Sequence, residues 1–318
     1  MSKAMEMLAD ARKKHNRFEM KCIVPNCDGK LCGKNPIRSH SIQHNGILSS
    51  IAENGIVYCL GETTKGDEIF EYDLKDKGIS KEASIFKCLC GEHDDALFMD
   101  IEKKEFCKEP KQLFQFALKS LICSYWLKCN DGGITEKYKD TIQIARIISE
   151  DQKAYKNELE RFWKIYYSEQ YEDLLSRVIT INRKINSAVS TSINISRKLD
   201  GTLFGDENIN YPLLHISIFP QGDKSYFLIS SLKENKEYFI TFMNQFVMLS
   251  EEDILKKFNI IIPLLAENIM ISPFVVNKMT EQEKKQLLIM FRLETMSLYN
   301  QIGIDVNRWS ERVSYNLW

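Results

Sequence analysis

The sequence predicts an α+β chain: a metal-stapled N-terminal segment, central long helices, and a small C-terminal sheet with helices. Three observations carry this reading. Cysteines gather between positions 22 and 90 among turns and short strands, with His93 just beyond the last of them. Apolar residues recur at Ile144, Ile148, Tyr155, Leu159, Phe162 and Tyr166, close to heptad spacing. Segments 213–219 and 226–231 read as strands joined by Pro220-Gln-Gly-Asp223. The matching division is a finger unit at 1–108, a helical region at 109–200 and an α+β unit at 201–318. A chain of 318 residues is long enough for two or more such units.

Taken in order, 3–20 is helical, with Met5, Leu8 and Ala11 on one face and Lys13, Lys14 and Arg17 on the other. Segment 35–42 is extended after the Gly33-Lys-Asn-Pro36 turn, and 48–52 is a short helix. Asn54-Gly55 is a hairpin-type turn, because both residues accept a positive φ. Strands follow at 56–60, 69–72 and 84–88, then a helix over 93–103 with Leu97, Phe98 and Ile101 on one face. Pro110 opens a strongly apolar helix running to 129, since proline suits a first helical position. A long helical tract is expected over 135–199, as two helices or a helical hairpin. Its half at 174–198 holds Arg177, Arg183, Lys184, Arg197 and Lys198 and no acid. Beyond 201, 238–242 reads as a third strand, 251–266 as an amphipathic helix and 269–271 as a short apolar segment. A helix over 280–298 begins at a Thr280–Glu283 capping box. Trp318 reads as an exposed aromatic tip.

The net charge of −1 excludes a globally basic nucleic-acid binder. Charge is nonetheless unevenly spread. Residues 1–44 carry nine Lys/Arg against four Asp/Glu, and residues 45–108 carry eight against fourteen. A basic strip beside an acidic pocket suits a site that holds both phosphate and a divalent cation. The start Met1-Ser-Lys-Ala-Met-Glu lacks the apolar core of a signal peptide, and no apolar run is long enough to span a bilayer. A cytoplasmic protein is therefore expected, without membrane contact. In that compartment the nine cysteines stay reduced, and clustered ones read as metal ligands.

The ligand set follows from spacing. A treble-clef type zinc site takes one pair from a knuckle and one from the first turn of a helix. Cys22 and Cys27, around Pro25-Asn26, supply the knuckle pair. Cys90 and His93 supply the helix pair, with Cys88 as a competing choice and Cys32 as a spare. Structural Zn²⁺ at this site would replace a core that so polar a segment cannot build. His40 lies between the two halves in Arg38-Ser-His-Ser. A neutral imidazole there can deprotonate water. Asp94 follows His93 and can hold Mg²⁺ or Mn²⁺, and Arg38 can bind phosphate. His40 as a structural histidine, or as a zinc ligand in place of His93, is the plainer alternative. His15 and His44 read as surface residues and His215, in an apolar strand, as core.

The cysteine knuckle, Ser39-His40 on a strand, and Cys90-Gly-Glu-His93-Asp94 at a helix start resemble the HNH, or His-Me finger, nucleases over residues 22–102. The pairing of Ser39-His40-Ser41-Ile42-Gln43 with Cys90-Gly-Glu-His93-Asp94-Asp-Ala-Leu97-Phe98-Met-Asp-Ile101-Glu102 is similar to a set of poorly characterised bacterial proteins suspected of anti-phage roles. Glu267-Asn268 and Ser272-Pro273 fit the same set. The resemblance implies a ββα zinc finger and a metal-dependent endonuclease acting on DNA or RNA. In that reading His40 is the general base, Asp94 the metal residue, and Cys90 and His93 zinc ligands. The sequence departs from the pattern at Ser39, where an Asp is usual, and has no clear central Asn, with Asn45 and Asn54 as candidates. The basic residues Arg177 to Lys198 would contact the nucleic-acid backbone, and the 135–199 helices would dimerise or dock a partner. The rival expectation is a non-catalytic zinc module of a defence or regulatory complex.

Overall fold

The computed structural model describes residues 19–26, 28–63, 71–132, 143–205, 212–295 and 303–318. The expected helix at 3–20, His15 and Cys27 lie outside these. The N-terminal part runs from a two-residue strand β1 (Ser39–His40) through a π-helical turn His44–Leu48 and a helical stretch α1 (Ser49–Ile51). A hairpin of β2 (Ile56–Thr63) and β3 (Glu71–Gly78) follows, then β4 (Ile85–Phe86) and α2 (Gly91–Lys103). The turn before β2 forms at Asn54 (φ 52°) and Gly55 (φ 74°), with Glu53 and Ile56 exchanging backbone hydrogen bonds. That is the two-residue turn with positive φ at both positions that Asn-Gly favours.

The middle of the chain corrects the sequence reading. Helix α3 (Pro110–Gly132) begins at Pro110 as expected. Helix α4 (Gln143–Ser168) then ends where the long tract was expected to continue, and two strands replace its second half, β5 (Leu174–Ile181) and β6 (Ser187–Asn194). The stop is a left-handed residue, Glu169 (φ 55°), with the Gln170 N–H reaching back to the Ile165 carbonyl. This closes a helix as a Schellman motif does, but with Glu where Gly is usual, so the sequence carried no glycine signal. Strand β6 lacks a period-two pattern because both its faces are covered, and β5, at the sheet edge, is part-buried along most of its length. Residue 238–242 is also corrected from strand to helix. It lies in α5 (Lys236–Asn244), where Phe239, Phe242 and Met243 bury one stripe at i, i+3 and i+4.

The remaining strands and α-helices are β7 (Leu213–Gln221), β8 (Lys224–Leu232), α6 (Glu251–Leu265), β9 (Ile269–Ile271), α7 (Pro273–Lys278), α8 (Glu281–Thr295) and α9 (Val306–Trp309). Strands from all three expected segments join one antiparallel sheet in the order β3-β2-β9-β6-β7-β8-β5. The chain is mixed α and β around this seven-stranded sheet. Alternation along β7 shows the layers. Leu214, Ile216 and Ile218 join the core built with Phe258 and Ile261 of α6. His215, Ser217 and Phe219 face the other way, towards α3 and α4.

Helix α3 lies close on that second face because serines line the contact. Ser120 Oγ lies 3.0 Å from both Ser190 Oγ and Ser217 Oγ, and Ser124 Oγ accepts the Ser192 N–H. The spaced apolar side chains of α4, including Tyr155, Leu159 and Phe162, bury in the same cluster as Phe114 and Leu118 of α3. His215 is core, as expected, bonded to Ser192 Oγ at 2.7 Å with Glu158 behind it. Thr280 and Glu283 form the capping box reciprocally at the head of α8. Trp318 is packed rather than free: its ring lies against Phe227 and its Nε1–H donates to the Leu255 carbonyl. No helix among the described residues is long and apolar enough to cross a membrane.

Candidate metal centre

The knuckle is a hairpin. The Cys32 N–H donates to the Val24 carbonyl, the Gly33 N–H to Cys22, and the Cys22 N–H to Lys34, with Pro25 bridged to Leu31. Gly33 (φ 66°) sits in the left-handed region just after Cys32, turning the chain away from the thiol. The hairpin is fastened to the finger by the Ile23 N–H on the Cys88 carbonyl and the Ile37 N–H on Leu89. Cys90 is the residue before α2, and its carbonyl accepts the Asp94 N–H, so His93 falls in the first turn facing back to Cys90.

Cys22, Cys32, Cys90 and His93 thereby come together, with all four donor atoms within 4.8 Å of one another. His93 Nδ1 lies 3.3 Å from Cys22 Sγ and 3.4 Å from Cys90 Sγ. Metal–sulfur bonds of ~2.3 Å and metal–nitrogen bonds of ~2.0 Å in a tetrahedron separate N and S by about 3.5 Å, so the spacing fits one metal ion. The thiol of Cys22 is buried, and burial pushes its pKa up to about 12. The Cys32 thiol, less buried, is instead held below its ordinary value, first by its hydrogen bond with the Lys34 backbone. A cation that draws off the Cys22 proton turns that burial into strong binding. These four residues could hold a metal ion.

Three of the four expected ligands are present. Cys27 lies outside the described residues, and the thiol beside the other three is Cys32, which the sequence left as a spare. The available signal for Cys32 is the glycine that follows it, Gly33, whose positive φ turns the knuckle. Cys88 is fully buried under the centre and outside the donor set.

The strand carrying His40 pairs with the strand entering the metal helix: Ser39 faces Phe86 and His40 faces Ile85. His40 is half-buried, and its Nε2–H donates to the Ile79 carbonyl at 2.8 Å. A carbonyl only accepts, so Nε2 carries the proton and Nδ1 keeps its lone pair. Burial lowers the His40 pKa, partly opposed by the Ile79 bond. Asp94 Oδ1 is buried without a hydrogen-bond partner, and burial raises the Asp94 pKa. Lys119 and Glu102 act electrostatically on both His40 and Asp94. Those two form an ion pair in which the Lys119 ammonium is almost fully buried and lies over the Phe98 ring.

Lys119, Glu102 and His44 were not singled out as site residues by sequence. The signal for Lys119 was one charge on an otherwise apolar face of α3. His44 was expected at the surface, but its ring centroid lies 5.1 Å from that of His40 and its Nε2 is buried without a partner. Arg38 is exposed, one residue before the buried Ser39. The basic residues expected on one helix face are distributed instead over β5, the β5–β6 turn and the segment after β6. Arg177 donates to Asn244 Oδ1, Arg183 pairs with Glu252, Lys184 donates to the Ser50 carbonyl and Arg197 to the Gly201 carbonyl, with Lys198 beside it. Asn268 ties the motif around His40 to the sheet, donating to Ser41 Oγ at 2.7 Å and to the Ser190 carbonyl at 2.8 Å. Ser272 caps α7 ahead of Pro273.

No protein-family model, no curated protein and no solved structure matches the chain.

Proposed function

We propose that the chain is a metal-dependent endonuclease of the HNH type, hydrolysing phosphodiester bonds of DNA or RNA on a zinc-stapled scaffold. The observation that supports this best is the convergence of His40 and Asp94, distant in sequence, on the same Lys119–Glu102 pair beside the metal-ligand helix. A knuckle hairpin, a paired β1–β4 and a helix that starts at two ligands are also what a treble-clef finger requires. Three thiols and one imidazole suit zinc in a closed, structural site.

His40 is the general base. Ile79 holds its Nε2–H, which leaves Nδ1 to take the proton of the attacking water. Its lowered pKa keeps it neutral at physiological pH. Asp94, with one carboxylate oxygen buried and unpartnered, offers the negative charge that a cation satisfies. Mg²⁺ or Mn²⁺ bound there supplies Lewis-acid polarisation of the phosphate and stabilisation of the leaving oxygen. Ser39, in the place of the usual Asp, contributes a neutral oxygen beside Asp94. Arg38, exposed next to it, holds the phosphate.

The test is cleavage of supercoiled plasmid, single-stranded DNA and RNA by metal-loaded protein with Mg²⁺ or Mn²⁺. Wild type cuts at least one substrate, and His40→Ala cuts it slower by about 100-fold or more. Zinc-loaded wild type inert on all three with both ions would leave a non-catalytic metal-stapled module and end the nuclease reading.

A further inference from the structure

A cavity of about 310 Å³ lies between the π-helical turn His44–Leu48, the C-terminal end of α2 and the β7–β8 turn. Its floor is aromatic. Phe116 and Phe219 stack at 4.6 Å between ring centroids, and Phe106 meets both edge-on. Two amides stand on its walls, and their partners fix which atom each turns to the cavity. Gln43 Nε2 donates to the Glu102 carbonyl, so Gln43 Oε1 is the atom left over. Gln221 Oε1 accepts the Phe106 N–H, so Gln221 Nε2 is left over. One acceptor and one donor thus border an aromatic floor.

The rim is positive. Lys184 is exposed, and Lys104 shares a single carboxylate, Asp100, with Lys111, which leaves one excess cation there. Gly46 belongs to the device as well. A Cβ at that position would come within 2.2 Å of Gln43 Oε1, so the glycine leaves room for the amide.

We propose that this cavity binds a nucleobase together with the phosphate on its sugar. A base edge presents a donor and an acceptor side by side, as the two amides require. A base face stacks on an aromatic floor regardless of sequence. The attached phosphate reaches Lys104 and Lys184 at the rim. The volume is at the small end of ligand pockets and suits one nucleoside unit. The inference goes beyond the nuclease reading and does not rest on His40 or Asp94, because it concerns binding alone.

The experiment is calorimetric titration of the metal-loaded full chain, without divalent cation in the buffer, with the four nucleoside 5′-monophosphates and with ribose 5-phosphate. At least one mononucleotide binds with a Kd below about 1 mM, and ribose 5-phosphate binds tenfold or more weaker. The double variant Lys104→Gln/Lys184→Gln changes only exposed side chains and weakens binding about tenfold or more. Gly46→Ala moves only the end of the flexible Gln43 side chain and weakens binding by about tenfold. A short single-stranded oligonucleotide that displaces the mononucleotide assigns the site to a base of a strand. Binding that the oligonucleotide does not displace assigns it to a free nucleotide. Equal affinity for ribose 5-phosphate, unchanged affinity in melting-competent variants, or no mononucleotide binding at about 10 mM overturns the proposal.

Discussion

Replacing Cys32 by Ser separates the Cys22, Cys32, Cys90 and His93 donor cluster of the structure from the ligand set that cysteine spacing alone suggests. Without a metal, the segment 22–37 is tied to the finger by the Ile23–Cys88 and Ile37–Leu89 backbone bonds, worth about 1 kcal/mol each, and by the exposed Lys34–Glu92 ion pair, worth about 1 kcal/mol or less. Burial of Ile23 and Val24 adds about 1.5–3 kcal/mol apiece. Ordering the hairpin costs about 1–2 kcal/mol per residue, more than those ties together. A structural zinc ion held by the four donors would contribute on the order of 10 kcal/mol and decide the balance. Cys32→Ser removes one of four ligands and weakens metal binding by more than about 100-fold, beyond what changes outside the ligand shell cost. The assay is metal content per chain with amide hydrogen exchange. In Cys32→Ser the metal is lost and the Cys22, Cys32 and Gly33 amides exchange freely, while the paired amides of β7 and β8 stay protected. Cys27→Ser keeps its metal. A Cys32→Ser protein with one metal per chain and a protected hairpin would refute the ligand assignment.

Further predictions concern the polar groups beside the centre. Because burial lowers the His40 pKa, cleavage stays level as pH falls through the ordinary histidine value of about 6.5 and drops only below it, measured as a rate–pH profile. The same shift has a stability sign: the unfolded chain takes the proton first, so His40 costs stability as pH falls from about 6.5 to its folded pKa, read from melting temperature against pH. Asp94→Asn abolishes cleavage yet raises the melting temperature by about 1–4 °C at neutral pH, because the folded state disfavours that carboxylate's charge. Lys119→Met strands Glu102 and lowers stability by about 3 kcal/mol in chemical denaturation, since the ammonium it removes is nearly fully buried.

Local chemistry was legible where one residue type forces one geometry. Asn54-Gly55, Pro110, the Thr280–Glu283 box and the Cys90–His93 helix start all form where they were expected. The tertiary sheet was not legible. Its β6 and β9 are covered on both faces, so they show no alternation, and α4 ends at a glutamate in a glycine's conformation. A heptad-like pattern that is sound as far as Tyr166 was therefore extended into strands. At the site, the types of ligand were readable but not the fold of the knuckle, which brings Cys32, held as a spare in the sequence, beside Cys22, Cys90 and His93. Lys119 and Glu102 reach His40 only through the packing of α2 on α3, which no local pattern encodes.

The central claim is that Cys22, Cys32, Cys90 and His93 hold one zinc ion and so build the scaffold that carries His40 and Asp94 beside the Lys119–Glu102 pair. X-ray absorption at the zinc edge of purified full-length protein tests it most directly. Three sulfur neighbours at ~2.3 Å and one nitrogen at ~2.0 Å are expected. Four sulfurs, a shell of oxygens, or a chain that binds no zinc would contradict it.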